Sequence, residues 1–478
     1  MFGMRKMFLL AACLLLAACE SAPDEAFPSR RPRESPSTER GPLIYLVGTM
    51  SGDDRRRGDD AYKGAVVGVQ TMNRQARQNA FPFELIGLDD RGDADLAAEL
   101  VEQAALDERA VGVIYAGPAE GLPPAAAALE QAGIPAITTY GDLYSAKLLR
   151  KNIFQVAPPL LWQARRLNSY LLGDRRYARV ALLASKSLQG RTAVRSMRAT
   201  FEATGRRRLF VHRYPADGEE FKSILRKMKR QRIEAVVIEG DNLTLLAVGH
   251  QLGQLGALYR TTAHARTVTA PRDAQGRIPR AFRGWRPQIA AFDEAIYPLQ
   301  TGELPEGTVA SDSYARGVFY LPVPSFIEFR RMFEAWEGAP PIGWERRGYE
   351  AARLIGWAAR RSSGDEGPAR TLELMSDRRF GGLDVSFGPD DHTTVDASTV
   401  GLWVIPKRGV ADRDREHLPE GFPWVPLARG FSINGRTTDI PPGDWAVLFH
   451  DPPPPEGPGP RVTSARFGVA TPRRDPVH

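Results

Sequence analysis

The sequence predicts an α/β protein of two lobes, each a parallel sheet flanked by helices, joined at a hinge. Three observations predict it. Short apolar runs alternate with helix-period segments from residue 42 onward. The alternation breaks at Pro158-Pro159 and then restarts in the same form. The flanks, before residue 42 and after about 410, lack it. Strand–helix alternation of this kind builds right-handed βαβ units and parallel sheets covered on both faces.

The elements follow in order. "PLIYLVGTM" (42–50) is a buried strand ending in glycine, and "DAYKGAVVGVQTMNRQ" (60–75) carries apolar residues at helical spacing. "FELIGLDD" (83–90) is a strand, "DADLAAELVEQAALD" (93–107) a helix with an Asp at its start, and "AVGVIYAG" (110–117) a strand. "PPAAAALEQAG" (123–133) is a helix with a glycine stop, followed by the strand "IPAITTYG" (134–141). Beyond the double proline, the helices 162–174, 191–205, 219–231 and 242–256 alternate with the strands 178–185, 208–215 and 233–240. Less regular pieces come later: a strand in "TVASDSYA" (308–315), helices over 325–338 and 346–362, and a hairpin over 382–409. The divisions expected are lobe one over 42–157, lobe two over 158–312, a return to lobe one over 313–378 and a lobe-two hairpin over 379–410. Residues 411–478 form an irregular Pro-rich extension.

The start of the chain reads as a leader. Arg5 and Lys6 precede an all-apolar run from Met7 to Ala18. A membrane span needs about 20 residues, so this run is too short for one and suits a signal peptide over 1–18. Leu16-Ala17-Ala18-Cys19 resembles the bacterial lipobox, in which cleavage precedes a cysteine that takes a diacylglycerol. Cys19 is therefore the expected lipid anchor, and Cys13 is removed with the leader. Residues 19–41, rich in Pro, Ser, Arg and Glu, form a disordered tether. The expected location is the periplasm or cell surface, held to a membrane through Cys19.

Composition excludes several classes. The formal charge falls from +7 to +5 once Arg5 and Lys6 are removed, and the arginines are scattered among acids. A nucleic-acid footprint needs clustering on one face, so none is expected. The mature region has no cysteine beyond Cys19, which excludes disulfides and thiol catalysis. The seven histidines have no metal-ligand spacing, and no nucleophile-elbow, dinucleotide or P-loop motif occurs. "DDRGDAD" (89–95) lacks the spacing of a calcium loop. No catalysis and no cofactor are expected.

The order and spacing of four segments resemble the type I periplasmic binding proteins, in particular the leucine/isoleucine/valine-binding receptors. They are "VGTMSGDDRRRGDDAYKGAVVGVQTMN", "IGLDDRGDADLAAELVEQ", "GPAEGLPPAAAALEQAGIPAIT" and "RRGYEAARLIGWAAR". The resemblance covers about 42–410. It implies two Rossmann-like lobes crossed by three hinge strands, a small-molecule ligand in the cleft between them, an ABC permease as partner and a monomer. The same fold also serves envelope lipoproteins that resemble penicillin-binding protein activators and act by protein contacts. That alternative stays open.

The resemblance also locates candidate ligand residues. Crevices in such sheets lie beyond the C-terminal strand ends. Ser51 and Asp53 follow strand one, Ala119 and Glu120 strand three, and Thr138, Thr139, Tyr140 and Asp142 strand four. Ser185, Ser187 and Gln189 follow the first strand of lobe two, Glu239 and Asp241 the strand "AVVI", and Ser311, Ser313 and Tyr314 the strand "TVA". The family's pattern departs here in two places. "GPAEGLPPA" has no hydroxyl where the family holds the ligand carboxylate. "LLWQ" puts Leu160 where the family often has an acid, while keeping Gln163. Without that acid a ligand ammonium is desolvated and unpaired, which is costly. The expected ligand is therefore uncharged, aromatic or carboxylate-only. Trp162 either stacks on it or packs into the hinge.

Overall fold

The structure is a computed structural model. It describes residues 41–438 except 53–54, 77–80, 141–151, 203, 205–207, 216–219, 256–284, 297–307, 314–323, 340, 342, 363–366, 377, 381–382, 386, 389–390, 395–399, 406–424, 427–430 and 434–435. Cys19 and the leader lie outside the described residues, as does most of the extension.

The first lobe is built by β1 (Leu43–Gly48), α1 (Arg55–Arg74), β2 (Glu84–Asp89), α2 (Ala94–Ala105), β3 (Ala110–Ala116), α3 (Ala126–Ala132), β4 (Ala136–Thr138) and β5 (Ile153–Gln155). Its five strands run parallel in the order β2-β1-β3-β4-β5. Helices cover both faces, so β1 and β3 are apolar without alternation; Leu43, Ile44, Leu46, Val47, Val113 and Ile114 are fully buried. α2 starts where the sequence put it. The Asp93 carboxylate accepts the N–H groups of Asp95 and Leu96 at 2.8 and 3.1 Å, satisfying two free donors of the first turn.

The second lobe begins with α4 (Leu160–Asn168), whose last turn widens over Ser169–Asp174. It continues through β6 (Arg179–Ser185), α5 (Leu188–Glu202), β7 (Arg208–Tyr214), α6 (Lys222–Arg230), β8 (Ala235–Ile238), α7 (Asn242–Gln254), β9 (Gln288–Ala291) and β10 (Val309–Ser313). β7, β6, β8, β9 and β10 lie side by side and parallel. The sequence pattern did not foresee β5 or β9. Both are very short, and neither has a pattern of its own.

The chain then returns to the first lobe through α8 (Pro324–Glu337), α9 (Trp344–Ala359) and α10 (Pro368–Glu373). α9 lies directly against α1. A Cβ on Gly64 would stand 1.6 Å from the Glu345 carbonyl oxygen, and one on Gly348 would stand 1.9 Å from that of Ala61. The two backbones touch, which only glycine permits. This contact sets the start of α9 against the N-terminal half of α1, so that Arg57 lies over the Trp344 ring. Ala351, Ala352, Leu354 and Ile355 complete the packing against Ile44, Leu46, Ala61 and Ala65.

The predicted hairpin over 382–409 is corrected by the pairing seen. β11 (Arg378–Phe380) pairs with β12 (Leu383–Val385), while β13 (Val400–Val404) runs antiparallel to β10 and is flanked by β14 (Val425–Pro426). Between them Val385 and Phe387 pack with Phe154 in the first lobe. Gln155 N–H donates to the His392 carbonyl at 2.9 Å, and Thr394 N–H donates to that of Gln155 at 2.9 Å. Two apolar segments of similar period thus serve different sheets, a distinction that periodicity does not encode. β15 (Phe431–Ile433) and β16 (Arg436–Thr438) form a separate pair.

Candidate functional site

Beyond the C-terminal strand ends, side chains of the two lobes meet, and two charged pairs join them. The deeper pair joins Arg347, in the first turn of α9, to Asp293, just after β9. Arg347 Nη2 lies 2.6 Å from Asp293 Oδ2, and Nη1 donates to the Thr139 carbonyl at 2.9 Å. The other carboxylate oxygen, Oδ1, accepts from Gln163 Nε2 at 2.9 Å. Gln163 is fully used in turn. Its Oε1 accepts from the Asp293 N–H and from Ser311 Oγ, and its Nε2 also donates to the Pro158 carbonyl. Gln163, Asp293 and Arg347 are all buried, so each polar atom needs these partners.

The outer pair joins Arg57, in the first turn of α1, to Glu294. Arg57 Nη2 lies 2.6 Å from Glu294 Oε1. The guanidinium also lies over two rings, 5.5 Å from the Tyr140 centroid and 5.0 Å from that of Trp344. Such faces attract a cation and hold its plane. Trp344 carries Arg347 as well, 4.9 Å from its centroid. The Arg57 side chain remains 28% exposed while that of Glu294 is 7% exposed.

The acids here are crowded. Burial pushes the Glu294 carboxyl up, Arg57 pulls it down, and Asp293 beside it pushes it up again. Glu239, after β8, is pushed up to about 7, first by burial and then, among smaller effects, by the nearby Glu294 charge. It accepts the Ser185 N–H at 2.7 Å. Gln189 hydrogen-bonds Glu294 from the second lobe. A third bridge joins the lobes where Glu120 Oε1 accepts the Leu188 N–H at the start of α5, 2.8 Å away.

The structure divides the expected ligand residues. Asp53, Asp142 and Tyr314 lie outside the described residues, as does the side chain of Ser313. Glu120, Gln163, Gln189, Glu239, Ser311 and Tyr140 are brought to this network between the lobes. Thr138 and Thr139 turn their hydroxyls inward: Thr138 Oγ1 bonds the Tyr140 backbone, and Thr139 Oγ1 donates to the Tyr115 carbonyl. Ser51 hydrogen-bonds Asp89. Ala119 is buried in a short turn after β3. Leu160 is 1% exposed and packs in the second lobe with Ala164, Leu167 and Val180. Trp162 is half-buried on α4. Ser187 Oγ accepts the Gly190 N–H and sits 2.6 Å from Ser185 Oγ, and Asp241 caps α7 through Thr244.

Sequence reasoning missed Arg57, Asp293, Glu294, Trp344 and Arg347. One signal was available. Three arginines, 55–57, open α1 with no acid in its first turn. A helix start carries partial positive charge and disfavours cations, so an arginine there calls for another reason. Among the described residues, no group of three or more His, Cys, Asp or Glu could hold a metal ion.

Comparison with known proteins adds the following. A family profile described as periplasmic binding protein matches residues 44–285. None of the curated proteins matches the chain by sequence. Among solved structures, a periplasmic binding protein type 1 from Bordetella pertussis Tohama I aligns with a TM-score of 0.62 at 17% identity, covering 78% of this chain and 98% of its own. A leucine-binding protein from Thermotoga maritima aligns at 0.61 with 16% identity, covering 77% and 96%. A solute-binding protein of an ABC transporter from R. palustris, solved with 4-hydroxybenzoate, aligns at 0.60 with 15% identity, covering 77% and 94%. At these identities the likeness is one of fold, and it is the two-lobed fold that the alternation of strands and helices predicted.

Proposed function

Because the chain belongs to the periplasmic binding protein family, we propose that it is a solute-binding protein that closes two lobes on a small molecule and presents the closed form to an ABC permease. One observation carries this reading. Charged side chains from opposite lobes, Arg57 with Glu294 and Arg347 with Asp293, meet beyond the C-terminal ends of both sheets. That is where a ligand placed between the lobes gains from their closure. Structural relatives bind leucine or 4-hydroxybenzoate in proteins of this shape. For this chain the amino-acid pattern of the family is incomplete at one point: the Thr138 and Thr139 hydroxyls after β4 are engaged by backbone. A thermal-shift and calorimetric screen of the full chain in detergent tests the reading. Saturable binding of a small molecule with a rise in Tm is expected; silence across a broad solute library overturns it.

The family points to a periplasmic location, and Leu16-Ala17-Ala18-Cys19 supports lipid anchoring there. Cys19→Ser is expected to move the protein from the membrane fraction to the soluble fraction with the lobes still folded. Unchanged retention in a fractionation experiment would refute the anchor.

A second reading, an envelope regulator acting by protein contacts, is favoured by one observation. Three bridges made by the protein's own atoms already tie the lobes together. On that reading scattering profiles stay the same with every solute tried.

A further inference from the structure

We propose that the N-terminal edge of the first lobe's sheet is a membrane-facing surface, and that its partner is the anionic headgroup layer of the bilayer that holds the lipid on Cys19. The proposal rests on the lipid-anchor reading and adds where on the fold the bilayer is met.

Three observations meet at one place. The first is where the tether enters the fold. The five strands run parallel, so their N-terminal ends lie along one edge, opposite the end where the charged pairs join the lobes. Gly41 stands on that edge. A Cβ on it would lie 2.0 Å from the Pro82 carbonyl oxygen, and the Leu43 N–H donates to the Arg109 carbonyl at 2.8 Å. Residues 20–40, 21 in all, separate Cys19 from Gly41. As a flexible coil they reach on the order of 25 Å. This edge is therefore the part of the fold held nearest the lipid.

The second observation is exposed apolar area. Leu106, just past α2, is 81% exposed, the most exposed large apolar side chain among the described residues, and Phe81 is 50% exposed. They precede β3 and β2, the strands on either side of β1, so they flank the point of entry. A polar residue would serve either turn as well, and apolar side chains beside an anchor can enter the headgroup boundary.

The third is charge. α1 ends at Arg74, and Asn73 beside it holds the Phe83 backbone by hydrogen bonds of 2.8 and 2.9 Å. Arg360, just past α9, lies over the Phe83 ring and donates to the Met72 carbonyl, and Arg361 lies over the Trp357 ring. All three arginines are exposed, and none forms a salt bridge among the described residues. The acids of this edge, Asp107 and Glu108, stand beside Arg109, and Asp107 accepts the Tyr45 hydroxyl. Cations so placed are drawn to an anionic bilayer within a Debye length.

Neither two apolar side chains nor three arginines would hold a free protein on a membrane. The tether makes the contact intramolecular, so a weak surface suffices. The pose turns the candidate site away from the lipid, towards solute, and a weak contact lets the lobe leave again.

The absence of cysteines after Cys19 permits a single-label test. The lipidated full chain is reconstituted in vesicles of phosphatidylglycerol and phosphatidylcholine carrying a headgroup quencher. A fluorophore is attached at Gln75→Cys, beside the patch, or at Ala178→Cys, ahead of β6 in the second lobe; both positions are exposed. Quenching is expected at the first label and not at the second, and it should fade at high salt. Arg74→Gln and Arg361→Gln should each lower the ratio of docked to undocked protein about fivefold. Phe81→Ser with Leu106→Ser should lower it about tenfold. Circular dichroism and membrane retention should stay at wild type. Equal quenching of the two labels, quenching that persists in phosphatidylcholine alone, or quenching unmoved by these substitutions overturns the proposal and leaves the anchor standing. Shielding of the Gln75→Cys label that grows with protein concentration in detergent assigns the face to a second copy and also overturns it. If the wild-type chain is not retained by vesicles, anchor and proposal fall together.

Discussion

Arg347–Asp293 and Arg57–Glu294 join the same two lobes with the same chemistry and the same 2.6 Å separation, yet they are different objects. In the deep pair every partner is spoken for. Asp293 is held by Gln163 through both side chain and backbone, and Arg347 by a carbonyl of the first lobe. In the outer pair the arginine is part-exposed and rests on aromatic faces, and its acid is crowded by others. The difference teaches that a short ion pair is not by itself a lock. What matters is whether the remaining lone pairs and N–H groups have partners once water is excluded. The deep pair meets that condition and fixes how the lobes meet. The outer pair differs in exposure: Arg57 stays part-exposed at 28% and rests on the Tyr140 and Trp344 rings.

Substitutions can break or sharpen this contrast. The largest effect belongs to Arg347→Met, which strands the buried Asp293 carboxylate; a loss of about 3–5 kcal/mol is expected from urea unfolding. A loss below about 1 kcal/mol would mean that the deep pair is as replaceable as a surface pair. Next comes Glu239. Its carboxyl is raised from 4.5 to about 7, chiefly by burial, so the folded state holds its proton more tightly than the unfolded chain does. Below about pH 4.5 it is protonated in both states and costs nothing; above about pH 7 it is ionised in both, and the full penalty applies. Stability contributed by this group therefore falls as pH rises across that window, on the order of a few kcal/mol. Glu239→Gln should flatten this part of the Tm-against-pH curve; an unaltered slope would count against Glu239 as its source.

Gln163→Leu is expected to cost about 1–3 kcal/mol, since Ser311 and the Asp293 N–H lose their acceptor while the shape is nearly kept. Near neutrality in chemical unfolding would show that water enters the hinge. Arg57→Gln should cost less than Arg347→Met, about 1–2 kcal/mol, because Arg57 is part-exposed although Glu294, at 7% exposed, loses its cation. A loss as large as that of Arg347→Met would erase the distinction between the two pairs.

Much of the fold was legible from single segments. β1, β3 and β6 are runs of apolar residues with no alternation, and a strand covered on both faces needs that pattern. α2 carries its own start signal in Asp93. β5 and β9 were not legible, because three or four residues exist as strands only where a neighbour supplies hydrogen bonds. The separate destinations of β12 and β13 were hidden for the same reason.

The candidate site was legible only in part. Gln163, Glu120 and Glu239 were reached through strand ends and the family resemblance, and the structure puts them in the network between the lobes. Arg57 stood in plain view in "DDRRRGDD", where a charge run reads as a solvated loop.

What the sequence determined by itself is whatever depends on near neighbours: the period of each helix, the apolar content of each strand, the proline break at 158–159, the apolar run from Met7 to Ala18 before Cys19 and the absence of cysteines after Cys19. What only the tertiary structure decided is which charges meet. Arg57 and Glu294 are 237 residues apart, and Arg347 reaches the Thr139 carbonyl across 208. Those pairings depend on Gly64 and Gly348 letting α1 and α9 touch, and on contacts between residues that follow the strands of both sheets. An ion pair is set by distances of a few ångströms and by the exclusion of water, and both are properties of the packed chain.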